Sequence, residues 1–569
     1  MAVSPARQPL TPFDRGHALD RLGDEPFDVL VVGGGITGAG VALDAAARGL
    51  KTALVERGDF AGGTSSKSSK LVHGGLRYLQ QREIRLVYEN LAERQRLLCN
   101  APHLVTPLPF LIPLFGSDGV VNRAVSRAYS SALWLYDLTG GLRIGRRHRR
   151  IGVEDALAHV PTLRTDRLVA GYIYYDARTD DARLTLAIAR TAVLDHGAVA
   201  ANYAPVTALR KDDGRVCGAR LDVDGAGPLD VRASAVVNAT GVWADDVRAL
   251  DEGAHPRSIR PAKGVHVTVP RDKLPCDIAA VLPVPSDRRS VFVVPWGDEV
   301  YVGTTDTDYS GPLDDPRCEA EDVEYVLAAV NSWVTRPLSP ADVTGVWAGL
   351  RPLLADPGGR GARRARTADL SRRHQVTVSP SGVVSVTGGK LTTYRKMAAD
   401  TVDEVVGLLG HGRRKSRTAS MPLRGAAGTA ELRAPDAAVR LGADESVVDH
   451  LVGRYGGEAR AVLAIVDADP AMGEPLVQGL SYLRAEAVYA ARYEMVHTLE
   501  DVLSRRTRAT LHDQDAAADA AADIAGLVAP ELGWTPPEVE RQIAIFREAV
   551  DGDRAAAHLV RPHAGRSGA

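Results

Sequence analysis

Three glycines and an acid carry the first chemistry legible in the chain: Gly33, Gly35 and Gly38 in GGGITGAG, with Glu56 closing the strand that follows. In a G-x-G-x-x-G the first glycine permits a tight turn and the second lets the backbone approach a pyrophosphate. The third lets helix and strand pack closely, and a downstream acid takes a ribose hydroxyl. The spacing therefore predicts a dinucleotide cradle. A 2′-phosphate would meet the Glu56 carboxylate, which disfavours NADP. In a chain with 55 glycines such spacing also arises by chance, so the flanking elements decide.

Those elements are present in order. Val29 to Val32 is an apolar strand, Ile36 to about Arg48 has helical period, and Thr52 to Val55 is a second strand ending on Glu56. Together they make a β-α-β unit whose helix N-terminus faces the phosphates. The next stretch, RGDFAGGTSSKSSKLVHGGLRYL from Arg57 to Leu79, packs many hydroxyl and backbone donors into little volume. That suits a loop wrapped around an extended phosphate-containing cofactor better than a linker, which would rarely end in apolar and aromatic residues. Two later strands also stop on glycine: Ala233 to Val237 runs into NATGVWAD, and Val383 to Val386 into TGGKLTTYR. Ala239, Thr240 and Gly241 let backbone come close to the far side of the same cofactor. Gly388 and Gly389 break the second strand before a helix that begins near Leu391, with its positive end beside whatever the glycines approach.

The 569 residues suffice for two to four domains, and 45% hydrophobic with 25% charged residues is ordinary for a globular protein. A net charge of −2 argues against bulk electrostatic binding of nucleic acid. Cys99, Cys217, Cys276 and Cys318 are widely spaced without C-x-x-C, so neither a metal site nor a disulfide framework is expected, and a reducing compartment is the simplest reading. Residues 1–24 read as a polar, poorly ordered leader without an apolar signal region, and HAGRSGA as a loose tail. Leu97 to Ser117 carries no formal charge, but Pro102, Pro107, Pro109 and Pro113 exclude a membrane-spanning helix. Ile84 to Leu98 is helical. Ala128 to Leu138, AYSSALWLYDL, precedes a cluster of Arg143, Arg146, Arg147, Arg149 and Arg150. Apolar aromatics beside arginines are what an interfacial membrane anchor needs, although a charge run is more often a solvated face. Val265–Val269, Ser290–Pro295 and Glu299–Gly303 alternate as antiparallel strands. After Gly412 the chain turns to alanine-rich amphipathic helices, one of them from Leu483 to about Ala509.

GGGITGAG, TSSKSSKLVHGGLRYL, NATGVWAD, GLRPLL, GGKLTTYRKMA and ARYEMVHTLEDVLSRRTRA, in this order over residues 26–510, resemble the FAD-dependent, respiratory, NAD-independent glycerol-3-phosphate dehydrogenases. The resemblance implies an α/β fold: an FAD-binding Rossmann-type domain with an inserted antiparallel-sheet substrate domain, plus a helical C-terminal domain. The expected division is a leader at 1–24, an oxidoreductase core at 25–410, helices at 411–555 and a tail at 556–569. Within the core, FAD-binding parts fall near 25–100, 168–250 and 375–410, and substrate-domain parts near 101–167 and 251–374.

The resemblance also implies oxidation of sn-glycerol 3-phosphate to dihydroxyacetone phosphate, with electrons passed to a membrane quinone. FAD would then lie on Gly33, Gly35 and Gly38, with Glu56 at its ribose. Thr64, Ser65, Ser66, Ser68 and Ser69 would line its pyrophosphate and ribityl path, Ala239, Thr240 and Gly241 its far side, and Gly389, Leu391 and Thr392 its pyrimidine end. A phosphate dianion calls for planar paired donors and point charges. Arg77 with Tyr78, Arg351, Arg372 and Lys390 are the candidates; for a lone arginine a surface ion pair is the commoner role. The base that takes the C2 hydroxyl proton is expected to be a histidine. We rank His266 first, with Arg351 stabilising the oxyanion, and His73 as its rival. Expected partners are glycerol 3-phosphate, a membrane quinone, the inner face of the cell membrane as a peripheral docking surface for a cytoplasmic protein, and a second copy in a homodimer; nucleic acid is not among them. Alternatives are an oxidase that uses oxygen, another flavin amine or hydroxy-acid oxidoreductase, and a non-catalytic, membrane-docking flavin sensor.

Overall fold

A computed structural model describes residues 13–76, 78, 83–116, 123–285, 287, 289–355, 374–412 and 414–559. The strand Pro26–Val32 pairs in parallel with Thr52–Val55 on one side and Gly227–Asn238 on the other. Val199–Ala201 and Val384–Thr387 extend the parallel array outward. A β-hairpin, Val206–Asp212 with Arg215–Val223, and the edge strand Gln375–Val378 complete eight strands. Crossovers between parallel strands need covering helices. The helix Ile36–Ala47 packs against Asp181–Leu194 and Tyr394–Leu408 on this sheet. Its Gly40 lies so close to the Tyr394 ring that a Cβ there would come within 2.7 Å of Cδ2.

The second sheet has ten strands and is mostly antiparallel, with Ile259 to Thr268 of the strand Ile259–Pro270 paired to the whole of Gly345–Leu354. It reaches further into the chain than expected. Leu168–Thr179, assigned by sequence to the FAD-binding part, belongs here and pairs with Val105–Phe115, and Leu71–Val72 joins its edge. The prolines of 102–113 thus sit largely in a strand. Pro107, Pro109 and Pro113 share one parity, so their missing N–H groups face one edge. On that edge the strand makes only the short parallel pairing of Phe110 and Leu111 with Ala279 and Ala280.

Residues 13–24 correct the expectation of a disordered leader. Asp14 caps the helix Arg15–Asp24, and buried Ala18 and Leu22, four residues apart, anchor it on the first sheet. The helix expected over Leu483 to Ala509 is three pieces, Arg484–Tyr493, a π-turn at Asp501–Arg506 and Ala509–His512. The expected tail HAGRSGA lies outside the described residues. The C-terminal domain closes with two long helices, Gln514–Leu532 and Pro536–Ala556, packed on each other. Among the described residues no helix is long and apolar enough to cross a membrane.

Candidate active site

The glycine turn works by exclusion of side chains. Gly33 sits at φ 109° and donates its N–H to Val55 O. A Cβ on Gly38 would lie 1.8 Å from the Gly33 carbonyl oxygen, and one on Gly33 2.7 Å from that of Ala239. The turn opens onto a cavity of about 710 Å³ lined by Gly33, Gly35, Glu56, Ala239, Thr240 and Gly241. Glu56 accepts from the Gly34 and Gly58 amides at 2.6 and 3.0 Å. Burial raises its pKa and those two amides oppose the rise.

The serine loop divides its labour. Thr64, Ser65, Ser68 and Ser69 line the cavity. Ser65 Oγ accepts the Ile36 N–H at the start of the glycine-rich helix, at 2.9 Å. Ser66 corrects the expectation: its side chain is buried away from the cavity and reaches only Gly63 O, at 3.4 Å, while its carbonyl accepts from Lys70 Nζ and Arg508 Nη2. Ser68 Oγ donates to Asp181 at 2.7 Å.

Around the same cavity stand His73, Tyr78, Arg351, Gly389, Lys390, Leu391 and Thr392. The His73 amide donates to Thr392 Oγ1 at 3.3 Å, and Lys390 Nζ lies 3.7 Å from the centre of the Tyr78 ring, so segments 73–78 and 388–392 face each other. Arg351 is oriented by Asp306 at 3.0 Å, Thr304 Oγ1 at 3.1 Å and Thr305 O at 3.2 Å. Arg77 and Arg372 lie outside the described residues. The two histidines stand differently to the cavity: His73 lines it, and His266 sits behind Ser69. The pleat of Ile259–Pro270 turns His266 onto Trp347, with rings 4.8 Å apart and 9° from parallel, and its Nε2 meets Ser69 Oγ at 2.8 Å. His266 is thus one residue removed from the cavity that His73 lines. Burial first, then Lys70 and Arg351, hold its pKa well below the usual histidine range, so its ring is neutral.

Sequence reasoning missed the acids that hold this loop and the C-terminal residues that meet them. Asp59 accepts from Arg505 Nε at 2.8 Å and from Arg506 at 2.6 and 2.9 Å. Asp181 takes Lys70 Nζ at 3.0 Å and is also bound by Arg508. Burial, then the neighbouring Arg508, pushes the Lys70 pKa down to about 8. Arg505 and Glu500 themselves line the cavity. The three arginines of SRRTR were the available signal; nothing in local spacing named their partners.

A model of the FAD dependent oxidoreductase family matches residues 28–395, and one of the C-terminal domain of alpha-glycerophosphate oxidase matches residues 416–539. Glycerol-3-phosphate dehydrogenase 2 of Mycobacterium tuberculosis (strain ATCC 25618 / H37Rv) is 43% identical over 96% of this chain and 91% of that protein. The mitochondrial glycerol-3-phosphate dehydrogenase of Bos taurus is 38% identical over 92% of this chain and 73% of that protein. The chain belongs to the FAD-dependent glycerol-3-phosphate dehydrogenases. A crystal structure of the glycerol-3-phosphate dehydrogenase from Bacillus halodurans, complexed with FAD, superposes with a TM-score of 0.75 at 32% identity, covering 95% of this chain and 97% of that one. An L-alpha-glycerophosphate oxidase from Mycoplasma pneumoniae, at 18% identity and a TM-score of 0.52, shares the fold. FAD is the cofactor, and the cavity suits it: a glycine turn where a Cβ would collide, a helix N-terminus, and the hydroxyls of Thr64, Ser65, Ser68 and Ser69 along one wall.

Proposed function

We propose that the protein oxidises sn-glycerol 3-phosphate at C2 to dihydroxyacetone phosphate and passes the electrons to a membrane quinone. The observation that carries the reading is the convergence of His73, Arg351 and Lys390 on one cavity with the glycine cradle. When bound, the flavin supplies a hydride acceptor at N5. The chain supplies the rest. His73 takes the C2 hydroxyl proton, Arg351 holds the oxygen on which charge develops, and Lys390 beside Tyr78 gives the phosphate a point charge. His266, neutral and bonded to Ser69, fixes the serine loop.

A quinone is dissolved in a bilayer, so its reductase docks there. Ile84, Tyr88, Trp134 and Leu138 are exposed large apolar residues. The basic segment is tied to them: Arg143 lies 5.1 Å from the Tyr88 ring centre and Arg147 5.8 Å from that of Trp134. Apolar aromatics rimmed by arginine match an anionic membrane surface, each cation contributing about 1 kcal/mol near it, and the inner leaflet of a cell membrane offers one.

Anaerobic mixing with glycerol 3-phosphate should bleach the flavin absorbance, and a soluble quinone analogue should restore it faster than oxygen does. Absence of bleaching refutes the substrate, and faster recovery with oxygen makes the protein an oxidase. Changing Arg146, Arg147, Arg149 and Arg150 to glutamine should weaken co-sedimentation with anionic vesicles while bleaching persists. Unchanged co-sedimentation would make the cluster a solvated face only.

A further inference from the structure

The peptide that carries His73 continues into Gly74, and both polar groups of Gly74 are held by buried side chains. Its N–H donates to Tyr136 Oη at 2.9 Å and to Asp176 Oδ1 at 3.2 Å. Its carbonyl accepts from Asn90 Nδ2 at 2.8 Å. Tyr136 in turn lies 2.6 and 2.7 Å from the two Asp176 oxygens, and Arg94 Nη1 donates to Oδ1 of the same carboxylate at 2.6 Å. Asn90, Arg94, Tyr136 and Asp176 are all at most 2% exposed. A Cβ on Gly74 would lie 2.5 Å from Tyr136 Oη, so the loop admits only glycine at this approach.

Nothing in the reaction calls for this network, and burying four charged or polar side chains to bind one residue's backbone is costly unless the geometry it fixes matters. Tyr136 lies on the helix Arg123–Leu138, with exposed Trp134 and Leu138, and Asn90 on Ile84–Asn100, with exposed Ile84 and Tyr88. The two helices therefore end, on their inner sides, at the peptide next to His73.

We propose that Tyr136 is a positioning residue that orients His73 through the Gly74 peptide, and so ties the helix Arg123–Leu138 to the reaction. The inference rests on the reading of His73 as the base. Loss of the tyrosine hydroxyl leaves the ring packed against Tyr174 and leaves FAD bound, but removes the shorter of the two bonds on the Gly74 N–H and leaves that peptide on the longer one to Asp176.

The test is a double-mutant cycle on the holoenzyme, with Tyr136→Phe made in the parent and in His73→Ala. In the parent, Tyr136→Phe should lower kcat about tenfold with KM and FAD content unchanged, as expected for loss of one positioning hydrogen bond. In the His73→Ala background it should change kcat little. Equal losses in both backgrounds, or no loss in the parent, would overturn the proposal while His73 keeps its role. An active His73→Ala enzyme would overturn both. Should Tyr136→Phe fail to retain FAD, Asn90→Ala, which releases the Gly74 carbonyl, carries the same cycle with the same two outcomes.

Discussion

The glycine cradle and the seam with the C-terminal domain meet on one cavity at Asp59 and Arg505, and they hold together by opposite means. In the cradle every decisive contact involves backbone, and the constraint is the space a Cβ would fill: Gly33, Gly38 and Ala239 meet within van der Waals distance. In the seam the contacts are buried ion pairs between side chains far apart in sequence. Asp59 meets Arg505 and Arg506, Arg183 meets Glu494 at 2.7 Å, and Arg190 meets Glu458 at 2.6 Å, where Arg424 of the same domain as Glu458 joins it at 3.0 Å. Desolvation offsets most of the attraction in such pairs, so they add little net stability. Removing one partner still costs several kcal/mol, because a buried charge is left alone. The cradle tolerates no added atom; the seam tolerates no lost charge.

Gly38→Ala should break the cradle alone. With the added methyl 1.8 Å from a carbonyl oxygen, helix and turn must separate, and we expect colourless protein whose helical circular dichroism is retained. Full flavin absorbance in that variant would show that the cradle can yield.

The seam should break by protonation. Burial alone would raise the pKa of Glu458, but Arg190 and Arg424 outweigh it and hold the carboxyl at about 2 against an ordinary 4.5. A depressed folded pKa contributes stability that is present above pH 4.5 and lost as pH falls through about 2, on the order of 3 kcal/mol. The melting temperature of the holoenzyme should therefore drop across that window, and Glu458→Gln should flatten the dependence; equal slopes in the two proteins would remove Glu458 from the seam's balance.

The smallest effect lies between the two regions, at the reacting atoms. Arg351→Lys keeps the charge and loses the planar fork, and should cost about 2 kcal/mol in kcat/KM with FAD content unchanged. Unaltered kinetics would exclude Arg351 from the site.

The same contrast explains what could be read from the chain. The β-α-β unit, the strand stops at Ala239 and Gly388, and the membership of His73, Arg351 and Lys390 in one cavity were legible, because each depends on residues within a few positions or on motifs that resemble a family. Which of the two histidines lines the cavity was not. It depends on which face of a pleated strand meets Trp347, a long-range packing choice. Leu168–Thr179 was placed in the wrong sheet for a similar reason: an apolar run does not name the strand it pairs with. Ser66 was misread because only the turn geometry of 63–67 decides which serines point outward.

The Asp59 pairing also bears on the order in which the protein is made. A ribosome delivers the glycine cradle and the serine loop early, and the π-turn carrying Arg505 and Arg506, with Arg508 just after it, near the end of synthesis. Until those arginines emerge, Asp59 is a lone carboxylate that water must solvate. The wall formed by Glu500 and Arg505 is missing for the same interval. A product truncated before Arg505 therefore carries the whole fingerprint for FAD and lacks one wall of the cavity that the fingerprint opens onto.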